Sequence, residues 1–141
     1  TVIDDYAHHP SEAAAMIEAT KLHFPHHRLL VVYRPHTYSR TKALLKEYHV
    51  AFDQADQVFM TDIEGAREAL QERTITGQDV VDGISAPAVY EPDRQRLADR
   101  VIDLAEPGDV ILCMTVSGFD KIADELAERV QTKLEDRHED R

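Results

Sequence analysis

The chain lacks most of what would let it act alone on a nucleotide, a metal or a membrane. It has no tryptophan, one cysteine and five glycines in 141 residues. The glycines never form GxxxxGKS/T or GxGxxG, so no phosphate-cradling loop is encoded and any ATP chemistry must borrow its phosphate-binding groups. No cysteine pair and no HExxH is present, which argues against a protein-only metal site. No apolar run approaches the roughly 20 residues of a transmembrane helix, and the opening TVIDDYAHHP lacks the basic start and apolar core of a signal peptide. A cytoplasmic protein without membrane contact is expected. Positive charge is scarce: 16 Lys and Arg face 27 Asp and Glu, a net charge of −11, which disfavours nucleic acid, whose binding depends on cations displacing counterions.

What is present fits one ordinary globular domain, with 43% hydrophobic and 30% charged residues. Short apolar runs alternate with helical patterns, the signature of a mostly parallel α/β sheet. Strands are expected at about 1–6, 28–34, 57–62, 88–91 and 109–114. Helices are expected from Pro10 to Leu22, Ser39 to Phe52, about 77–84, 93–105 and 119–134, with 65–77 a loop holding one helical turn. The run RLLVVYR at 28–34 is continuously apolar between its arginines, as a strand covered on both faces is, and DVILCM is a further apolar run. The fold expected is a Rossmann-like, doubly wound, mostly parallel sheet of five to six strands with helices on both faces. The tail 135–141, EDRHEDR, has no apolar residue to dock and is expected to fray.

Ligands of doubly wound sheets bind beyond the carboxyl ends of the strands. That rule selects three loops: Tyr6–His9, Pro35–Tyr38 and Thr115–Gly118. The first two gather Asp4, Asp5, Tyr6, His8, His9, Arg34, His36, Tyr38 and Arg40 in or beside them. Alternation sends Asp4 and Asp5 to opposite faces, so at most one points into a cleft. The segment RPHTYSRT brings hydroxyl and basic side chains to the start of a helix, where free N–H groups and the helix dipole favour an anion and Arg40 adds a clamp for carboxylate or phosphate. A capped helix with a solvated arginine is the competing reading. His23, His26 and His27 read as capping and surface residues, and Cys113 as buried packing.

Asp4 to Glu12, DDYAHHPSE, resembles the DDYAHHPTE signature that opens the carboxy-terminal domain of the Mur ligases, the UDP-N-acetylmuramate:amino-acid ligases. PHTYSRT at 35–41 resembles the family's PHRYTRT, DIEGARE at 62–68 its DIYxARE, and the stretch from Thr76-Gly77 to Gly83-Ile84 and Pro107-Gly108-Asp109 continue the likeness, which runs from residue 2 to about 130. Two departures stand out: Thr37 where many members have arginine, and MTVSGF at 114–119 where the family usually reads MGAGDI. That loop is closer to the MSNGGF of the murein-peptide branch, which attaches a recycled tripeptide, whereas PHxYxRT argues for the alanine-adding branch.

The resemblance implies that residues 1–134 are the amino-acid-binding domain that closes over a central ATPase domain, with that domain and a UDP-sugar domain lying outside this chain. It implies a ligase of peptidoglycan synthesis acting on ATP, Mg2+, UDP-N-acetylmuramate and L-alanine: an acyl phosphate forms on the sugar's lactyl carboxylate and the alanine amine attacks it. It further implies that Asp5 accepts the adenosine ribose hydroxyls, that Tyr6, His36 and Arg40 bind the amino acid, and that His8 or His36 takes the amine's proton, imidazole being suited to proton transfer near neutral pH. A noncatalytic α/β binding domain is the remaining reading; its phosphoacceptor version would use Asp62 but lacks a lysine after the last strand.

Overall fold

The two runs that are apolar on both faces take the middle of the sheet. In the computed structural model, which describes residues 1–115 and 119–139, β1 (Val2–Asp5) leads to α1 (Pro10–His23) and β2 (Leu29–Arg34) to α2 (Tyr38–Ala43) and α3 (Leu45–Ala51). Then come β3 (Gln57–Met60), a 3-10 turn at Leu70–Glu72, α4 (Gly77–Asp82), β4 (Ala88–Tyr90), α5 (Arg94–Leu104), β5 (Val110–Thr115) and α6 (Ile122–Glu139). All five strands are parallel, in the order β1-β5-β2-β3-β4. The expected doubly wound α/β class is what the chain adopts.

Strand alternation divides the core. Leu29, Val31 and Tyr33 of β2 and Val110, Leu112 and Met114 of β5 pack with Ala13 and Ile17 of α1 and with Tyr48, Phe52 and Val80. Leu30, Val32, Ile111 and Cys113 face the other way, against Leu97 and Val101 of α5 and Ile122 and Leu126 of α6. The chain therefore leaves β1 and β2 toward one layer of helices and leaves β5 toward the other, so a crevice opens between β5 and its neighbours.

Three elements differ from the sequence expectation. The helix expected over 39–52 bends at Leu44 (φ −105°, ψ 18°), where Leu44 and Leu45 both pack on the core although neighbours in a straight helix point about 100° apart. The last helix starts at Ile122 rather than 119, because Phe119, Asp120 and Lys121 take φ of 42°, 52° and 59°. The tail expected to fray from 135 continues as helix through Glu139. Gln131 to Glu135 at 3.0 Å supports it along the helix, and Arg137 ties it to Glu106 at 2.9 Å.

Asp56 closes the amino end of β2. One carboxylate oxygen accepts the Leu29 N–H at 2.7 Å and the Lys21 ammonium at 3.0 Å. Burial works against ionisation here, yet the Leu29 and Lys21 bonds outweigh it and hold the carboxyl below its ordinary range. A depressed folded pKa gives stability that is complete above the unfolded value and lost as pH falls through the folded one. Asp56→Asn should thus lower unfolding free energy by a constant amount above about pH 5, and the difference should shrink below about pH 4. The effect is modest because the side chain is 41% exposed. Urea unfolding of both proteins across the acid range checks it.

Candidate functional site

The loop after β1 has its polar groups engaged one by one. Asp5 Oδ2 accepts the Ala7 N–H at 2.9 Å, which turns the chain as the strand ends. Ala7 is buried under that turn. His8 Nδ1 lies 3.2 Å from the Tyr6 carbonyl oxygen, and since a carbonyl only accepts, the neutral His8 ring carries its proton on Nδ1 and its lone pair on Nε2. His9 has a different task. Its Nδ1 accepts the Ser11 N–H at 3.1 Å while its own N–H donates to Glu12, a capping box that starts α1 with Pro10 in the first turn. His9 thus serves the helix, and His8 alone of the pair faces the crevice side.

The His8 carbonyl is held from below. The hydroxyl of Tyr48 donates to it at 2.6 Å and that of Tyr33 at 2.8 Å, and the two hydroxyl oxygens are 3.2 Å apart. Burial raises the pKa of both phenols, so they remain donors.

The loop after β2 corrects one expectation. The start of α2 was expected to offer free N–H groups beside Arg40 to an incoming anion. Glu68 already occupies that position: its carboxylate accepts the Ser39 N–H at 3.1 Å and the Ser39 hydroxyl at 3.2 Å. Thr37 Oγ1 takes the Arg40 N–H at 3.4 Å, so Thr37 is the N-cap. Thr37 does this at φ 64°, a strained conformation for a β-branched residue. Its N–H donates to the Glu64 carbonyl at 2.8 Å, Glu64 N–H donates to Pro35 at 2.9 Å, and Glu64 pairs with Arg34 at 2.8 Å. His36 is thereby fastened to the 62–68 loop through a bridge opposite Glu64. Arg40 itself is exposed and pairs with no carboxylate among the described residues.

Because β5 lies between β1 and β2, the loops after β1 and β2 leave the sheet at one rim, on either side of Thr115. The rings of His8 and His36 stand edge to face, 6.2 Å apart at 74°. Arg40 follows on α2, four residues after His36, and is exposed. Tyr6 stands 77% exposed at the edge. Asp5 keeps one oxygen uncommitted to the turn, among the described residues, and is half-buried. Asp4 points to the other layer, exposed, its pKa raised by partial burial and then by Asp124 and Asp5. Of the third loop, Thr115 is buried at the end of β5, while Val116, Ser117 and Gly118 lie outside the described residues. Beyond them Arg94 donates to the carbonyls of Phe119 at 3.3 Å and Asp120 at 2.8 Å and pairs with Glu125 at 2.9 Å, and Arg34 stacks on the Phe119 ring at 4.5 Å.

The remaining candidates are structural. Cys113 is fully buried, and burial followed by the charge of Asp4 pushes its thiol up to about 12. His23 and His27 pack edge to face with Phe24, and His27 Nδ1–H donates to the Gly108 carbonyl at 2.6 Å. Among the described residues no three His, Cys, Asp or Glu side chains converge as a metal site, and no helix is long and apolar enough to cross a membrane. Glu68, Glu64, Tyr33, Tyr48 and Arg94 escaped the sequence reading. Only the tyrosines carried a usable signal, as a phenol in an apolar run needs a partner.

Residues 1–115 match the family described as Mur ligase, glutamate ligase domain. The chain is 37% identical over 131 residues to the UDP-N-acetylmuramate--L-alanine ligase of Caldanaerobacter subterraneus subsp. tengcongensis, covering 91% of this chain and 28% of that protein. It is 43% identical over 116 residues to the protein of the same name from Mycobacterium avium, covering 80% of this chain and 23% of the relative. Its fold superposes with a TM-score of 0.69 and 28% identity on a solved domain from a Haemophilus ducreyi protein named for UDP-N-acetylmuramate:L-alanyl-gamma-D-glutamyl-diaminopimelate ligase, covering 92% of this chain and 90% of that one. The chain spans about a quarter of the length of the curated relatives it matches.

Proposed function

Since the chain belongs to the Mur ligase family, we propose that it is the carboxy-terminal domain of an ATP-dependent ligase that joins L-alanine to UDP-N-acetylmuramate in the cytoplasm, through an acyl phosphate, for peptidoglycan synthesis. The observation that supports this reading is the approach of the His8 and His36 rings from the loops after β1 and β2, which flank β5, with exposed Tyr6 and Arg40 carried by the same two segments. An exposed rim of this kind is half a site, completed when a second domain closes over it and excludes water.

In this reading Arg40, which pairs with no carboxylate among the described residues, holds the alanine carboxylate and leaves the amine free to face the acyl phosphate. His8, its proton committed to Tyr6 and its Nε2 without a partner among the described residues, takes the proton the amine must lose. His36 and Tyr6 line the amino acid. The open oxygen of Asp5 suits a ribose hydroxyl as donor. The phosphates and Mg2+, for which this chain has no loop and no converging ligand set among the described residues, are held by the central domain. ATP supplies the phosphoryl group that activates the sugar's carboxylate.

A second reading, that the amine belongs to a recycled tripeptide, is favoured by the Haemophilus domain and by the MTVSGF loop. Phosphate release and product mass from the full-length enzyme, with L-alanine and then with L-alanyl-gamma-D-glutamyl-diaminopimelate as acceptor, distinguish the two. We expect kcat/KM to favour alanine by about a hundredfold or more, the discrimination within reach of polar mismatches at a site. The reverse preference establishes the second reading, and inactivity with both acceptors refutes the ligase.

A further inference from the structure

We propose that Tyr33 and Tyr48 are positioning residues of the reaction: by saturating the His8 carbonyl with two hydroxyls they fix the loop that presents the His8 imidazole to the amine. The inference rests on the role assigned to His8 above, and extends it to two core residues that touch no substrate.

Both rings are fully buried, one on β2 and the other on α3, and they pack edge to face 5.7 Å apart. As apolar filling, two phenylalanines would serve as well, and would avoid bringing two hydroxyls out of water. The hydroxyls find their partner in one main-chain oxygen, at 2.6 and 2.8 Å, and their own oxygens lie 3.2 Å apart. That oxygen belongs to the residue whose ring bonds back to Tyr6, and it lies immediately before the cap of α1. The loop is therefore fixed at three successive points: Ala7 N–H on Asp5, the His8 carbonyl on the tyrosines, and the His9 N–H on Glu12. Only the middle anchor comes from other elements of the fold. It sets the height of the His8 backbone above the sheet, and so where the ring stands opposite His36. A catalytic group needs its position held to a fraction of an ångström, which is the work of such supporting bonds.

The test uses the full-length enzyme carrying Tyr33→Phe, Tyr48→Phe or both, each in the native and in the His8→Ala background. Each single change should lower kcat about threefold to tenfold, the worth of one hydrogen bond, and the double change more, with KM for UDP-N-acetylmuramate unchanged. In the His8→Ala background the double change should cost less than about twofold, because the residues act through His8. Amide hydrogen exchange of the peptide spanning residues 6–9 should quicken in the double variant, while that of α5 does not. An equal loss in both backgrounds, or unaltered exchange in that peptide, overturns the proposal. If His8→Ala alone leaves the rate intact, the role given to His8 fails instead, and the exchange measurement still reports whether the tyrosines hold the loop. Should the double variant melt below the assay temperature, Tyr48→Phe alone carries the comparison.

Discussion

Arg40→Ala in the full-length enzyme should lower kcat/KM for L-alanine by about tenfold to somewhat over a hundredfold, the worth of a charge-assisted hydrogen bond of roughly 1.5–3 kcal/mol. The Michaelis constant for UDP-N-acetylmuramate should stay within about threefold of the native value, since the change removes a contact to the other substrate alone. The guanidinium is exposed on the rim and spends no charge on a carboxylate of its own among the described residues. The helix start beside it cannot share the load, because Glu68 and Thr37 have already taken those N–H groups. Arg40→Lys should restore only part of the loss, as an ammonium keeps the charge without the planar fork. Steady-state kinetics with each substrate varied in turn decides it. Unaltered alanine kinetics would make Arg40 a solvated residue of a capped helix.

The chance to read this site from sequence came from periodicity. Leu29–Tyr33 and Val110–Met114 are apolar at successive positions, the pattern of strands covered on both faces. Once the strands were placed, the rule for carboxyl ends named the loops after β1 and β2, which the fold brings together. The order of strands was not legible, because nothing local in Val110–Thr115 says that β5 inserts between β1 and β2. Yet that insertion is what sets the loops of His8 and His36 on either side of one crevice.

Long-range polar pairing was equally hidden. Glu68 caps a helix 29 residues earlier, at Ser39, and no spacing announces it. A helix start rich in hydroxyls and a nearby arginine reads as a vacant anion site until the carboxylate that fills it is seen. The pair His8-His9 shows the opposite case. The sequence His9-Pro10-Ser11-Glu12 has the shape of a capping box, with histidine in the place usually held by serine or threonine, and its physics assigns His9 to the helix and leaves His8 as the candidate of the pair. Local conformation failed to reveal the bend at Leu44 and the left-handed run at Phe119–Lys121, neither of which has a glycine to mark it.

His8→Ala is expected to have the largest effect of any single change at the rim, lowering kcat by about a hundredfold to ten-thousandfold, the usual span for loss of a general base. His36→Ala should cost less and should act more on the Michaelis constant for alanine. The distinction rests on hydrogen bonding rather than on residue type. His8 has Nδ1 on the Tyr6 carbonyl, which orients the ring and leaves Nε2 to accept a proton, whereas His36 is anchored through its backbone, opposite Glu64. The rings stand 6.2 Å apart, so the amine of an alanine held through its carboxylate on Arg40 can approach one as acceptor while the other lines its path. Added imidazole should restore part of the rate of His8→Ala, because a free base can enter the space left by the side chain, and it should do nothing for His36→Ala. The same experiment carries its own contrary outcome: rescue of His36→Ala and none of His8→Ala would exchange the two roles, with the tyrosine-clamped loop then serving to seat the amino acid.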